Sequence, residues 1–307
     1  HNEQGILSLI YHRFEENKYP STNIRMDIFK QQVDIIYESN LDFFNPINFE
    51  REFNVPKIKK KILLTIDDGF SSFYNNAWPY LKEKKIPFIL FVSTETVGKN
   101  GYMSWDEIKE IEKEDFVFLG NHSHSHEYLI DYNFINFKKD IDRSINIFEK
   151  NIGYNPIFFS YPFGEYSLEQ KNYITKNFKF AFGQHSGAFS INQKYFIPRF
   201  PLNENYGSIN RIKDASSVLP FNNVLIEPSN PYQGEPVIRY ALDFNEDSSN
   251  INCFISDFQG SFNPTITNLN NKLLVELNRL PVKGRLRFNC TKVNNGIFWF
   301  GYQYLVN

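Results

Sequence analysis

The most constraining feature of this chain is a change in the spacing of its apolar residues near residue 214. Before that point, short apolar runs alternate with longer amphipathic ones. Residues 5–11 (GILSLIY), 61–66 (KILLTI), 87–92 (PFILFV), 116–119 (FVFL) and 157–161 (IFFSY) read as buried strands. Between them, residues 27–40 place Ile28, Phe29, Val33, Ile36 and Tyr37 near helical spacing, and Ser104 with Glu107 makes a capping signal. Residues 137–151 and 168–178 also read as helices. Strands alternating with helices imply βαβ units and a parallel sheet, open or closed into a barrel. Beyond residue 214, residues 237–244, 252–256, 273–277, 285–291 and 297–306 alternate apolar with polar side chains, with turns at 228–231, 245–250 and 294–296. This predicts an antiparallel β-sandwich. The chain is therefore expected to divide into an α/β domain, residues 1–214, and an all-β domain, residues 215–307, with the boundary between residues 214 and 222.

Bulk properties exclude some functions. The 33 Lys and Arg nearly balance the 35 Asp and Glu, too even for the basic footprint of general nucleic-acid binding. The longest apolar stretch, residues 86–92, is interrupted by Pro87 and falls far short of the ~20 residues that span a bilayer. The chain reads as soluble, with no transmembrane segment. It opens at His1 without Met, as a processed or trimmed chain does, so a missing export signal carries no weight. Cys253 and Cys290 fit either one disulfide in an exported domain or two buried thiols. Aromatic residues make up 17% of the chain, and their faces pack cores or stack on sugars. For Trp299, Phe300, Tyr302 and Tyr304, core packing is the expectation and a sugar platform the alternative.

Four segments carry chemistry. Asp67-Asp68-Gly69 closes the KILLTI run with two adjacent carboxylates, which converge on one site only if the chain bends there, as Gly69 permits. The plain alternative is an Asx turn. After the FVFL run, His122, His124 and His126 lie within five residues, and a loop or one helical turn would aim His122 and His126 at one ion while His124 points elsewhere. A solvated polar loop is the bland reading. Both segments leave predicted parallel strands at the ends where ligands gather. One Asp and two His with open positions suit a catalytic divalent ion. In the third segment, Tyr161-Pro162-Phe163-Gly164, an irregular loop turns backbone N–H groups toward a substrate oxygen or simply ends a strand. The fourth sets His185 near Gly183 and Gly187, as a proton donor or in an ordinary loop.

Taken together, LTIDDGF, NHSHSH and SYPFG, in this order and spacing, resemble the polysaccharide deacetylases, also called NodB-homology proteins or carbohydrate esterase family 4. The resemblance covers roughly residues 5–202, and Ile10-Tyr11-His12 with the Tyr-Pro-Phe-Gly form looks most like the poly-N-acetylglucosamine deacetylase subgroup. It implies an α/β fold, a distorted, incomplete (β/α) barrel, to which the C-terminal all-β sandwich is attached. It also implies that Asp68, His122 and His126 bind a divalent metal ion, most often zinc, and that Asp67 is the catalytic base. The Phe163 amide matches the oxyanion donor, Tyr161 the residue before its proline, and Ser123 a small hydroxyl position. His185 is the nominee for the acid, and His12 is placed at the site rim. Many members carry Arg where this chain has Ser160, and Arg199 is the candidate replacement for steadying Asp67.

The implied activity is hydrolytic, metal-dependent N-deacetylation of an N-acetylated polysaccharide or glycan. O-acetyl-xylan-type esterase and chitin or peptidoglycan deacetylase stand as alternatives within the same chemistry. A non-catalytic carbohydrate-binding or assembly protein is the alternative of another class, and a copper oxygenase using His1 is a remote one. Sequons occur at Asn121 and Asn289, and a glycan on Asn121 would obstruct the metal site. A host that leaves such sites unmodified, with a polymeric substrate outside the cell, implies a bacterial periplasm, envelope or secreted location. The sequence leaves the oligomeric state open.

Overall fold

The computed structural model describes residues 5–52, 61–188 and 193–307, so His1 and the copper reading lie outside them. The first sheet contains β1 (Ile6–Tyr11), β2 (Lys61–Asp67), β3 (Phe88–Val92), β4 (Val117–Asn121), β5 (Phe158–Ser160), β6 (Phe180–Phe182) and β7 (Phe200–Pro201). They pair in the order β7-β1-β2-β3-β4-β5-β6, all parallel, with Asp42–Phe43 also on β2. A parallel bridge between Phe182 and Ile197 ties the β6 edge to the segment entering β7. The sheet thus curls into a distorted, incomplete barrel. Strands β1 and β3 are buried along their whole length, as parallel strands covered on both faces must be.

Helices α1 (Met26–Glu38), α2 (Trp78–Lys84), α3 (Trp105–Glu112), α4 (Phe134–Ile152) and α5 (Leu168–Asn177) connect the strands. The expected capping box is present: the Ser104 hydroxyl accepts from the Glu107 N–H, and the Glu107 carboxylate accepts from the Ser104 N–H. Helix α4 starts earlier than its apolar pattern indicates because Asn133 caps it, accepting from the Asn136 N–H at 2.8 Å.

Helix α6 (Ile209–Ser217) spans residue 214 and leads into the β-rich C-terminal part. Its strands are β8 (Val218–Leu219), β9 (Leu225–Glu227), β10 (Tyr232–Gln233), β11 (Arg239–Asp243), β12 (Asn252–Asp257), β13 (Gly260–Ser261), β14 (Thr265–Leu269), β15 (Lys272–Glu276), β16 (Gly284–Val293) and β17 (Ile297–Val306). One sheet runs β8-β17-β16-β12-β13 with β10 also on β17, and the other runs β9-β11-β15-β14. Only the short β8 and β10 pair in parallel; the other pairs are antiparallel, as the alternation predicts.

Leu242, Leu273 and Val275 from one sheet and Leu286, Phe288 and Tyr304 from the other share one buried cluster, which makes the pair a sandwich. Phe159, Tyr161, Tyr166 and Phe196 of the barrel belong to the same cluster, so apolar packing runs unbroken from barrel to sandwich. Phe300, Tyr302 and Tyr304 are core residues, and Trp299 packs edge-on against Phe200, so these four rings form no exposed platform. Cys253 and Cys290 face each other across β12 and β16 and form a disulfide. Among the described residues, no helix is long and apolar enough to cross a membrane.

Close approach of β3 and β4 depends on a missing side chain. Gly120 pairs with Phe91, and a Cβ at residue 120 would lie 2.2 Å from the Phe91 ring, which is fully buried and has nowhere to retreat. Overpacking of this kind costs about 2 kcal/mol or more. Gly120→Ala is expected to lower the unfolding free energy by that amount, read as a lower denaturant midpoint at unchanged m; an unchanged midpoint would show that the ring yields.

Candidate active site

Strand β2 delivers Asp67 at its end, and the next two residues turn the chain: Asp68 at φ 80° and Gly69 at φ 70° are both left-handed. Glycine takes this conformation freely and aspartate more readily than most residues. The turn cancels the alternation of a strand, so two adjacent carboxylates reach one site. After β4, the Asn121 side chain accepts from the Ser123 N–H (2.9 Å) and the Ser123 hydroxyl accepts from the His126 N–H (3.0 Å). This tight loop, not a helical turn, aims His122 and His126 together. His124 points elsewhere, its Nδ1 2.8 Å from the Thr94 hydroxyl. Asn121 is fully buried and donates to the Ser144 hydroxyl at 2.9 Å, which leaves its sequon no room for a glycan in the folded chain.

Asp68, His122 and His126 present their ligand atoms within 4.8 Å of one another. Both His122 Nε2 and His126 Nε2 lie 3.2 Å from Asp68 Oδ1. His122 Nδ1 is 2.7 Å from the Ser160 carbonyl, which can only accept, so Nδ1 carries the proton and Nε2 offers a lone pair to the site. Asp68 Oδ1 and His122 Nε2 are buried without a hydrogen-bond partner among the described residues. Crowded acceptors of this kind call for a cation. Two ligands about 2.0–2.1 Å from a tetrahedral zinc ion stand roughly 3.3 Å apart, so the residues fit such a group.

The electrostatics agree. Burial alone would push Asp68 up, but the imidazoles of His122 and His126 outweigh it and hold the carboxyl well below the usual range. For His126, burial pulls downward and the Asp68 carboxylate more than compensates, leaving its pKa raised.

Asp67 is fully buried beside the triad, with Oδ2 3.7 Å from His122 Nε2. Arg199, also fully buried, grips it with both ends of its fork: Nη1 to Oδ1 at 2.7 Å and Nη2 to Oδ2 at 2.9 Å. The remaining donors reach the Gly183 carbonyl (2.7 Å), the Ser160 hydroxyl (2.8 Å) and the Thr65 hydroxyl (3.2 Å). Ser160 thus leaves space that the Arg199 guanidinium fills from the segment just before β7. Burial raises the Asp67 pKa, but Arg199 and then His122 outweigh it, so the carboxyl titrates below its ordinary value.

Phe163 sits between Pro162 and Gly164 at φ 60° and ψ 7°, a left-handed conformation that costs a non-glycine residue roughly 1–2 kcal/mol. The loop's own hydrogen bonds run from the Gly164 N–H to the Tyr161 carbonyl (2.8 Å) and from the Glu165 N–H to the Pro162 carbonyl (3.3 Å). They leave the Phe163 N–H outside them. The Phe163 ring lies against that of His126, with centroids 5.1 Å apart, which places the loop beside the Asp-His-His triad.

His185 requires a correction. Its ring lies flat on Phe196 at 4.0 Å, is only 4% exposed, and both nitrogens lack a partner among the described residues. Burial, then the charges of Arg199 and Arg287, push its pKa down to about 3. A group so weakly basic is neutral near pH 7 and cannot serve as an imidazolium acid. The glycines on either side suggested exposure, but packing by Phe196 and Tyr302 buries the ring.

His12 is the functional candidate that the sequence placed only at the rim. Burial lowers its pKa, while the charges of Asp68 and Asp67 pull it up and those of Arg199 and His122 push it down, so it lies within the field of the whole constellation. Its position directly after β1, at a strand's C-terminal end, was the available signal.

Because His126 must lose its proton to bind a metal and holds that proton above the ordinary histidine range, divalent-ion affinity is expected to strengthen as pH rises through and beyond about 6.5. Titration calorimetry with zinc across that range checks this, and His122→Ala should abolish the binding. Affinity independent of pH, or unchanged in the variant, would remove the histidines from the ligand set.

Residues 54–181 match the family model described as polysaccharide deacetylase. The poly-beta-1,6-N-acetyl-D-glucosamine N-deacetylase of Staphylococcus aureus (strain MRSA252) is 27% identical over 161 residues, 48% of this chain and 56% of that protein. The chain thus spans 56% of the length of this curated relative. The solved structure of IcaB from Ammonifex degensii superposes with a TM-score of 0.63 at 25% identity, over 69% of this chain and 97% of that one. Streptococcus pyogenes deacetylase PplD, solved with acetate, gives 0.61 at 22% identity over 66% of this chain and 95% of its own. The curled parallel sheet, the strand-end triad and these likenesses agree: residues 54–181 are similar to the polysaccharide deacetylases, and the sheet has their NodB-type fold.

Proposed function

We propose that this chain hydrolyses the acetamide groups of an N-acetylated polysaccharide of the poly-N-acetylglucosamine kind, with zinc as its divalent ion. The observation that carries this reading is Asp67: a buried carboxylate beside the triad, clamped by Arg199 and free of the ligand set. On this reading residues 1–214 form the catalytic domain and residues 215–307 an accessory domain. A polymeric substrate made for the cell exterior is consistent with work in a periplasm or envelope. The name of the Staphylococcus aureus relative supports the substrate class.

Asp68, His122 and His126 hold the ion. When bound, it polarises the acetyl carbonyl and makes water a stronger acid, which suits a base as weak as Asp67. Asp67 takes the proton of the attacking water, whose oxygen bonds to the acetyl carbon. The Phe163 N–H donates to the oxygen that gains negative charge. The proton taken up by Asp67 passes to the nitrogen as the C–N bond breaks, with His12 relaying it, giving acetate and a free amine. An intact base beside an intact triad speaks against a purely carbohydrate-binding role.

Asp67→Asn is expected to abolish acetate release from N-acetylglucosamine oligomers while zinc stays bound by elemental analysis. Wild-type release by that variant would reject the assignment. Activity of the native chain on O-acetyl xylan, chitin or peptidoglycan fragments in preference would redirect the substrate class.

The pH dependence has a definite sign. A base must be ionised, so activity falls as pH drops through its pKa, and with Asp67 held low by Arg199 that limb lies below the ordinary aspartate range. Arg199→Lys keeps the charge but loses the fork, so at saturating zinc the limb should move upward. An unmoved limb would show that Arg199 does not set the ionisation of Asp67.

A further inference from the structure

We propose that Arg285, at the start of strand β16, is a positioning residue for the deacetylase site: it fixes the backbone of Phe163 so that its N–H faces the reacting carbonyl. The proposal rests on the role given above to that N–H.

Strand β16 begins at Gly284, and Arg285 pairs in register with Leu305 of β17. Its Nη2 donates to the Phe163 carbonyl at 3.1 Å, and the same nitrogen lies 3.8 Å from Glu165 Oε1. One guanidinium therefore holds both the left-handed residue and the carboxylate two positions on. The other arms of Phe163 are held by the barrel. Its ring stacks on Tyr128 with centroids 4.0 Å apart and planes 7° from parallel, and the His126 ring meets it at 5.1 Å.

With ring and carbonyl both pinned, the third arm of the Phe163 Cα, its amide, has one direction left. The loop has little room to shift as a unit, since a Cβ on Gly164 would lie 2.7 Å from the Gln184 nitrogen. A strained backbone persists only where its surroundings over-determine it. Here the barrel supplies the contacts to the ring, and the contact to the carbonyl comes from a ten-residue strand of the sandwich. A donor borne on a regular strand holds its target more closely than one on a loop. The sandwich is then part of the site, and the oxyanion donor is aimed from outside the barrel.

The test compares the full-length wild type with Arg285→Gln and Arg285→Lys, all zinc-loaded. Arg285→Gln should lower kcat for acetate release about 10–100-fold, as partial loss of an oxyanion donor does, with KM and zinc affinity unchanged. Arg285→Lys, which keeps one charged donor, should recover most of the loss. Hydrogen exchange over residues 160–167 reads the loop without turnover: faster in Arg285→Gln, restored in Arg285→Lys, unchanged elsewhere in the barrel. Wild-type kcat or unchanged loop exchange in Arg285→Gln overturns the proposal. So does a loss of zinc affinity parallel to kcat, or faster exchange throughout the chain, which would mark a merely structural residue. Absence of acetate release by the wild type on every substrate would reject the deacetylase reading instead, and the exchange data would still decide the loop.

Discussion

The buried pair of Arg199 and Asp67 is the constraint around which the site is organised. Taking two charges out of water costs several kcal/mol per ion, and only excellent geometry with every remaining donor satisfied offsets it. Arg199 meets that condition by binding both carboxylate oxygens, two hydroxyls and a carbonyl. Those partners lie at the ends of β2 and β5 and just after β6, so the guanidinium knots three strand ends together at the open side of the curled sheet. An apolar filling would be no less stable, as buried ion pairs rarely improve on one. What the pair provides is a carboxylate that stays ionised in a dry site, next to a cluster of acceptors that calls for a cation.

How much of this was legible in the sequence depends on distance along the chain. The two Asp and the His pair could be read because each set lies within a few residues at the end of a strand, where backbone geometry alone decides convergence. Even so, the bend at Asp68 came from its own left-handed backbone as well as from Gly69. Arg199 was only a candidate, because it lies 132 residues from Asp67 and no local pattern links them. The burial of His185 could not be read at all: the glycines around it signal a loop, and the rings that cover it come from elsewhere, Tyr302 from the sandwich. Strand β14 escaped notice for a different reason: every residue in it is exposed, so it carries no alternation.

The same long-range packing bears on how the two parts relate. Phe196 touches both His185 and Tyr302, Gln193 donates to the Gly301 carbonyl at 3.1 Å, and a Cβ on Gly187 would lie 2.8 Å from the Gly301 nitrogen. Backbones that approach so closely over an unbroken apolar cluster do not behave as beads on a linker. The likeness to IcaB spans nearly all of that chain and only about two thirds of this one, so the fold comparison speaks to the barrel and leaves the contribution of the sandwich to be argued from its own contacts.

The central claim is that one cation and one free carboxylate meet at the strand ends. Anomalous diffraction at the zinc edge from zinc-soaked crystals tests it most directly. The account predicts a single strong peak about 2.0–2.2 Å from Asp68, His122 Nε2 and His126 Nε2, with Asp67 still held by Arg199 and outside bonding distance. A peak ligated by Asp67, or zinc bound elsewhere with the triad empty, would contradict it.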